Sequence, residues 1–107
     1  MERALETLLR DLKRNVEIVL GSREAEFVLY GSRARGDSGR DSDIDVAIIV
    51  PDLSPGLKDR ILQAVAEVEL DHLRPVSVLV FAKREFDRLF ERERRIALDI
   101  RREGIVL

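Results

Sequence analysis

The stretch YGSRARGDSGRDSDIDVAIIV, residues 30–50, places a Gly-Ser pair, several arginines and closely spaced aspartates directly before a long apolar run. Asp43 and Asp45 are separated by one residue, so on an extended strand their side chains project from the same face, about 7 Å apart along the backbone. Two carboxylates at this spacing repel each other, which raises the pKa of at least one of them or destabilises the strand. The pattern therefore predicts a bound cation or a pair of carboxyl groups that share a proton.

The composition predicts one soluble globular domain over residues 1–107, with 45% hydrophobic and 37% charged residues. The absence of cysteine and the presence of one histidine exclude thiolate sites and multi-histidine zinc clusters, so a metal here would be bound by oxygen. No apolar run is long enough to span a membrane, and we expect a cytoplasmic protein. The net charge of −2 gives no general attraction to nucleic acid, so direct nucleic-acid binding is not expected.

The hydrophobic pattern predicts helices that alternate with short strands, which is typical of an α/β fold with a small mixed sheet. The predicted strands are residues 26–30, 43–50 and 75–82, with a short final strand at residues 105–107. The predicted helices are a first one that ends at Gly21, a short one from about Ser32, one that begins at Ser54-Pro55 and runs toward residue 70, and one or two over residues 83–103 with a break near 91–93 and a cap at Gly104.

The segment GSRARGDSGRDSDID, residues 31–45, resembles the signature of the DNA polymerase β nucleotidyltransferase superfamily. The chain length and the element order resemble its smallest members, the minimal nucleotidyltransferases (MNT). The resemblance implies the α/β nucleotidyltransferase core and an enzyme that transfers an adenylyl group from ATP to a hydroxyl of a protein partner. Minimal nucleotidyltransferases are often encoded beside a helical HEPN-domain protein, so the resemblance also implies an antitoxin of a HEPN-type toxin.

The chemistry of nucleotidyl transfer explains why a pair of carboxylates would be needed. An acceptor attacks the α-phosphorus and displaces pyrophosphate, so negative charge must be neutralised on both the attacking and the leaving oxygens. Mg²⁺ takes one or two carboxylates from a protein and the rest of its ligands from phosphates and water. Asp43 and Asp45 are therefore the predicted catalytic residues and metal ligands, with Mn²⁺ as the alternative ion.

The residues before the aspartates are predicted to bind the nucleotide. Gly31 lets a phosphate approach the backbone, and the Ser32 hydroxyl can bond a phosphate oxygen beside the free amides of a helix start. Arg33 and Arg35 are predicted to neutralise the triphosphate, and the sequence leaves open which of them faces it.

Other polar residues have simpler interpretations. We interpret Arg40 as a solvated loop charge and Asp37 and Asp41 as turn residues. His72 is more typical of a surface or packing residue than of a catalytic base. The segment RERRIALDIRR, residues 92–102, is predicted to be a helix with paired charges, and RNA or partner binding is the alternative.

The third predicted strand departs from the family pattern. Active members of the superfamily usually carry a third carboxylate there, and Ser77 is the residue that takes this place. Glu69, Asp71 or a partner protein could supply a carboxylate instead.

Two functions therefore remain open: an active adenylyl-transferring enzyme, or a catalytically weakened nucleotide-binding subunit that restrains a HEPN-type partner by contact. A polymerase fragment is disfavoured because nothing here would hold a template. Self-association is a further expectation if the last helix exposes an apolar face.

Overall fold

The apolar run that follows Asp45 forms the central strand of the fold. The computed structural model describes residues 2–21, 23–36 and 43–107, and in it every residue from Val46 to Val50 is buried. The sequence of a strand that is buried on both faces is a continuous apolar run and does not alternate between apolar and polar residues. The expectations for Asp37, Arg40 and Asp41 lie outside the described residues.

Helices and strands follow the order that the sequence predicts. The helices are α1 (Arg3–Leu20), α2 (Ser32–Arg35), α3 (Pro55–His72), α4 (Lys83–Glu91) and α5 (Arg95–Glu103). The strands are β1 (Glu26–Tyr30), β2 (Asp45–Val50), β3 (Ser77–Ala82) and β4 (Ile105–Val106). The break between the last two helices and the short final strand are both confirmed.

The four strands form one mixed sheet in the order β3-β2-β1-β4. β1 is antiparallel to β2 and β4, whereas β2 is parallel to β3. The predicted α/β fold with a mixed sheet is therefore confirmed, and so is the expectation that the second and third strands lie side by side.

Helices cover both faces of the sheet. The larger core joins α1 and α3 to one face, and α1 contributes six buried apolar side chains: Leu5, Leu8, Leu9, Leu12, Val16 and Leu20. The smaller core joins α4 and α5 to the opposite face through Phe86, Ala97 and Ile100. Odd-numbered residues of β2 point toward this second core, so Asp45 belongs to the α4/α5 face.

Two strands begin later than the sequence predicts, and the pairing of the sheet explains the difference. Pro75 has no N–H to donate to a neighbouring strand. The N–H of Val76 donates to the Glu69 carboxylate (2.8 Å), so the pairing starts where the N–H of Ser77 donates to the carbonyl of Ile44 (2.8 Å). β2 begins at Asp45, which pairs with Ser77 and with Tyr30, the last residue of β1, and Asp43 lies just before the strand.

The large exposed apolar side chains of the described residues include none from α5. The feature that would have indicated self-association is therefore not found on the last helix. No helix in the part of the chain that the structure describes is long and apolar enough to cross a membrane.

Candidate active site

The two predicted catalytic carboxylates lie at the start of the central strand. Ile44 between them is 2% exposed and packs into the α1/α3 core, which fixes the register of the strand. Asp43 is exposed, whereas Asp45 is half-buried. Burial, and to a smaller extent the charge of Asp43, raise the pKa of Asp45 above its ordinary value. The structure thus places a second carboxylate beside one whose ionised form is already disfavoured by burial.

Asp45 is flanked on its own face of the sheet by residues from both neighbouring strands. Ser77 is its partner on the parallel strand β3, and Tyr30 is its partner on the antiparallel strand β1. Ser77 therefore stands beside the carboxylate, in the position that the missing third carboxylate would take. Burial and the nearby charge of Asp45 raise the pKa of the Tyr30 phenol, so this side chain is a neutral hydroxyl at the edge of the site.

Sequence reasoning missed Tyr30. The available signal was its position as the last residue of a strand that directly precedes the Gly-Ser turn. Its contact with Asp45 depends on the antiparallel register of β1 and β2, which the sequence pattern does not specify.

Gly31 forms the wall of the site next to Asp45. Its backbone has φ 77° and ψ −157°, a conformation that is essentially restricted to glycine. A Cβ atom placed on Gly31 would lie 2.7 Å from Oδ2 of Asp45, closer than any ordinary contact. Two independent constraints, the backbone angles and the carboxylate, therefore require glycine at this position.

The residues after Gly31 form the single turn α2. The carbonyl of Gly31 accepts hydrogen bonds from the N–H groups of Ala34 and Arg35, both at 3.1 Å. Ser32 is half-buried, and among residues 2–21, 23–36 and 43–107 its hydroxyl has no hydrogen-bond partner. The predicted nucleotide-binding turn is thus held directly next to Asp45.

The structure separates the roles of the two arginines of α2. The side chain of Arg33 is 6% exposed, and its guanidinium lies 3.8 Å from the carboxylate of Glu2, which also pairs with Arg74. Arg35 is 43% exposed and pairs with Glu103 at the end of α5 (3.0 Å). Arg33 therefore ties α2 to the start of α1, whereas Arg35 extends toward the α4/α5 side of the sheet, where Asp45 lies.

Glu69 and Asp71, which could have supplied a third carboxylate, lie on α3, and this helix packs on the face of the sheet opposite to Asp45. Glu69 accepts the hydrogen bond from Val76, and Asp71 borders a groove between α1 and α3. His72 pairs with Asp11 of α1 (2.9 Å) on this same side of the sheet. The interpretation of His72 as a packing residue agrees with this position, because the α1/α3 layer lies on the face opposite to Asp45.

The donor set at the site fits a magnesium ion bound together with a nucleotide. Within the described ranges, no three His, Asp or Glu side chains are arranged to hold a metal among themselves. Asp43 and Asp45 provide two carboxylates, and Mg²⁺ commonly takes one or two protein carboxylates with phosphate and water oxygens. Burial, and to a smaller extent the charge of Asp43, raise the pKa of Asp45, and a divalent cation bound there would favour the ionised carboxylate.

Comparisons with known proteins identify the family to which the chain belongs. The model of the nucleotidyltransferase domain family matches residues 5–103. A protein of Methanocaldococcus jannaschii named "Putative protein adenylyltransferase" is 28% identical over 78 residues, which cover 71% of this chain and 78% of that protein. The crystal structure of a "putative nucleotidyltransferase" from Sulfolobus solfataricus is 25% identical, has a TM-score of 0.51, and the match covers 99% of this chain and 86% of the other. The chain therefore belongs to the nucleotidyltransferase domain family, and its reaction is nucleotidyl transfer.

Proposed function

We propose that this enzyme transfers an adenylyl group from ATP to a hydroxyl group of a protein partner, in a Mg²⁺-dependent reaction. The observation that carries the proposal is the carboxylate pair Asp43 and Asp45, held at the start of β2 against the Gly31 turn. The adenylyl group and the protein acceptor are supported by the name of the Methanocaldococcus jannaschii relative.

In the proposed reaction, an acceptor hydroxyl oxygen attacks the α-phosphorus of ATP. A new oxygen–phosphorus bond forms while the bond to the bridging oxygen of the β-phosphate breaks, and pyrophosphate leaves with the electron pair. The acceptor proton passes to solvent or to a carboxylate of the site. Asp43 and Asp45 would hold Mg²⁺, which when bound neutralises charge on the phosphate oxygens.

The α2 turn is proposed to hold the triphosphate. Gly31 has no side chain to block a phosphate, and the Ser32 hydroxyl can donate to a phosphate oxygen. Of the two arginines, Arg35 is the better candidate for a phosphate contact. Its side chain is 43% exposed on the Asp45 side of the sheet, and an exposed ion pair such as Arg35–Glu103 contributes about 1 kcal/mol or less.

The open edge of the sheet supports a macromolecular acceptor. β3 is an edge strand, and Ser77 and Leu79 on the Asp45 face are both exposed, Leu79 by 40%. A hydroxyl on a partner can approach Asp45 from this edge. A HEPN-type toxin as the partner, with this chain as its antitoxin, is the part of the proposal that rests on the family resemblance alone.

Ser77 favours a second candidate function. A neutral hydroxyl is a poor ligand for Mg²⁺ and a poor base, and it stands where active relatives usually carry a carboxylate. In this alternative the chain binds ATP through Asp43, Asp45 and the α2 turn, transfers slowly, and acts mainly by contact with its partner.

The test is transfer of label from ATP that carries radioactive phosphorus at the α-position, with Mg²⁺ or Mn²⁺, in the presence and absence of a co-purified partner. The Asp43→Asn, Asp45→Asn double variant is the blank, and ATP labelled at the γ-position distinguishes nucleotidyl from phosphoryl transfer. Label from the α-position alone, lost in the blank, supports the adenylylating enzyme.

Ser77→Asp separates the two candidate functions. Transfer by the wild-type chain that is not increased in Ser77→Asp would show that two carboxylates suffice. ATP binding without transfer, together with a gain of transfer in Ser77→Asp, would support the weakened subunit. Absence of both ATP binding and transfer in the folded wild-type chain would overturn both candidates.

A further inference from the structure

Three arginines line a cavity at the end of the sheet opposite to Asp45. The cavity has a volume of about 340 Å³ and lies where the parallel strands β2 and β3 end. Arg23 comes from the segment before β1, Arg60 from α3 and Arg84 from α4, so three separate elements contribute positive charge to one concave surface. Asp52 is the carboxylate that lines the same cavity.

The three arginines of this cavity outnumber the one carboxylate that lines it. In the described part of the chain, Arg60 and Arg84 have no ion pair, and Asp52 does not lie within ion-pairing distance of any of the three arginines. Arg23 donates to the carbonyl of Leu20 (3.2 Å), a bond that leaves its charge uncompensated. The Ser54 hydroxyl accepts from the N–H of Leu57 and keeps its own O–H as a donor, so it adds a neutral donor beside the arginines.

We propose that this cavity is a second, phosphate-binding site, which takes the phosphate dianion of a small molecule. Guanidinium groups match phosphate oxygens in geometry and remain charged at any physiological pH. The volume is in the range of small-molecule pockets. The chain as a whole has a net charge of −2, which opposes an extended polyanion such as duplex nucleic acid and favours a compact anion held by local charge.

The site is distinct from the candidate active site. β2 runs from Asp45 to Val50, and Pro51 and Asp52 at its far end line the cavity. At about 3.3 Å per residue, Asp45 and the cavity are about 20 Å apart. A phosphate held by Arg60 and Arg84 is therefore not part of a nucleotide that reacts at Asp45, and the inference does not depend on the proposed function.

The test is a titration of the ¹⁵N-labelled chain, followed by amide chemical shifts, with inorganic phosphate, pyrophosphate and AMP as separate probes at low ionic strength. We expect saturable shifts at Leu53, Ser54 and Leu57. Tighter binding of AMP would indicate a phosphate ester as the ligand, and tighter binding of inorganic phosphate or pyrophosphate would indicate free phosphate; both support the site. Shifts that do not saturate with any of the three probes would overturn it.

Substitutions of the charged residues test whether phosphate binds in this cavity. Arg60→Gln and Arg84→Gln should each weaken phosphate binding about tenfold, because each removes a charged hydrogen bond. Asp52→Asn should tighten binding, since it removes the opposing carboxylate. Arg92→Gln is the matched control, an exposed arginine outside the cavity, and should leave binding unchanged. If Arg60→Gln and Arg84→Gln bind phosphate as the wild type does, the inference is wrong. The same spectra show whether each variant is folded.

Discussion

Substitution of Gly31 by alanine tests the contact between the Gly-Ser turn and the carboxylate pair. Alanine at φ 77° and ψ −157° is strained by about 1–3 kcal/mol. Its Cβ would also lie 2.7 Å from Oδ2 of Asp45, so the carboxylate must move by about 0.7 Å to reach the 3.4 Å of an ordinary contact. A displacement of this size at a reacting centre lowers the rate by about ten- to a hundredfold.

Gly21→Ala provides a matched control for backbone strain. Gly21 has a similar conformation, with φ 66° and ψ −123°, but a Cβ there would meet nothing within 4 Å. Gly31→Ala should lose at least as much free energy of unfolding as Gly21→Ala, measured by urea denaturation, because it has the overlap with Asp45 in addition to the backbone strain. Only Gly31→Ala should also lose nucleotidyl transfer, measured as pyrophosphate release per folded molecule.

Two results would refute this reasoning. If folded Gly31→Ala released pyrophosphate at the wild-type rate, Asp45 would not need its observed position. If Gly21→Ala lost as much transfer as Gly31→Ala, the effect would come from general strain rather than from the contact with Asp45.

Three further predictions concern single side chains. Asp45→Asn should abolish pyrophosphate release without lowering the melting temperature, because it removes a charge that burial and the neighbouring aspartate both disfavour; a large loss of stability would contradict this account. Gly104→Ala should lower the free energy of unfolding by about 1–3 kcal/mol in urea denaturation, because the added Cβ would overlap the carbonyl oxygen of Ile100. The hydrogen bond from Arg101 lowers the pKa of Glu26 below its ordinary 4.5, so this group stabilises the fold above that pH and the contribution is lost as the pH falls through the lowered pKa. Glu26→Gln should thus be less stable than the wild type at pH 7, and thermal unfolding should show the difference shrinking below about pH 4.5; a constant difference would contradict this prediction.

Much of the fold was predictable because the local signals are strong. Ser54 followed by proline marks the start of α3, where the Ser54 hydroxyl accepts from the N–H of Leu57 (3.1 Å). Gly21 ends α1, as the sequence predicts, and the structure gives it a positive φ. The start of β3 was less predictable, because the N–H of Val76 donates to Glu69, seven residues away and in another element. The start of β2 depends on its pairing with both neighbouring strands.

Glycine at position 104 was predicted to end the last helix, and it does, but the physical reason for glycine there differs from the predicted one. The sequence predicts a helix cap, a role in which glycine is favoured for positive φ. The observed φ is −71°, which any residue can adopt, and the glycine is needed for space against Ile100 and Val28. Packing between distant residues imposes this requirement, and no local pattern encodes it.

The sequence by itself determined the order of helices and strands, the family, and the carboxylate pair, because period, capping and motif spacing are local properties of the chain. Only the tertiary structure decided what surrounds that pair. The sheet register places Ser77 and Tyr30 on either side of Asp45, and the fold directs Arg33 to Glu2 and Arg35 to Glu103. The cavity of Arg23, Arg60 and Arg84 likewise exists only because three elements distant in sequence converge at one end of the sheet. Such contacts depend on strand pairing and helix packing, which bring together residues that no local pattern connects.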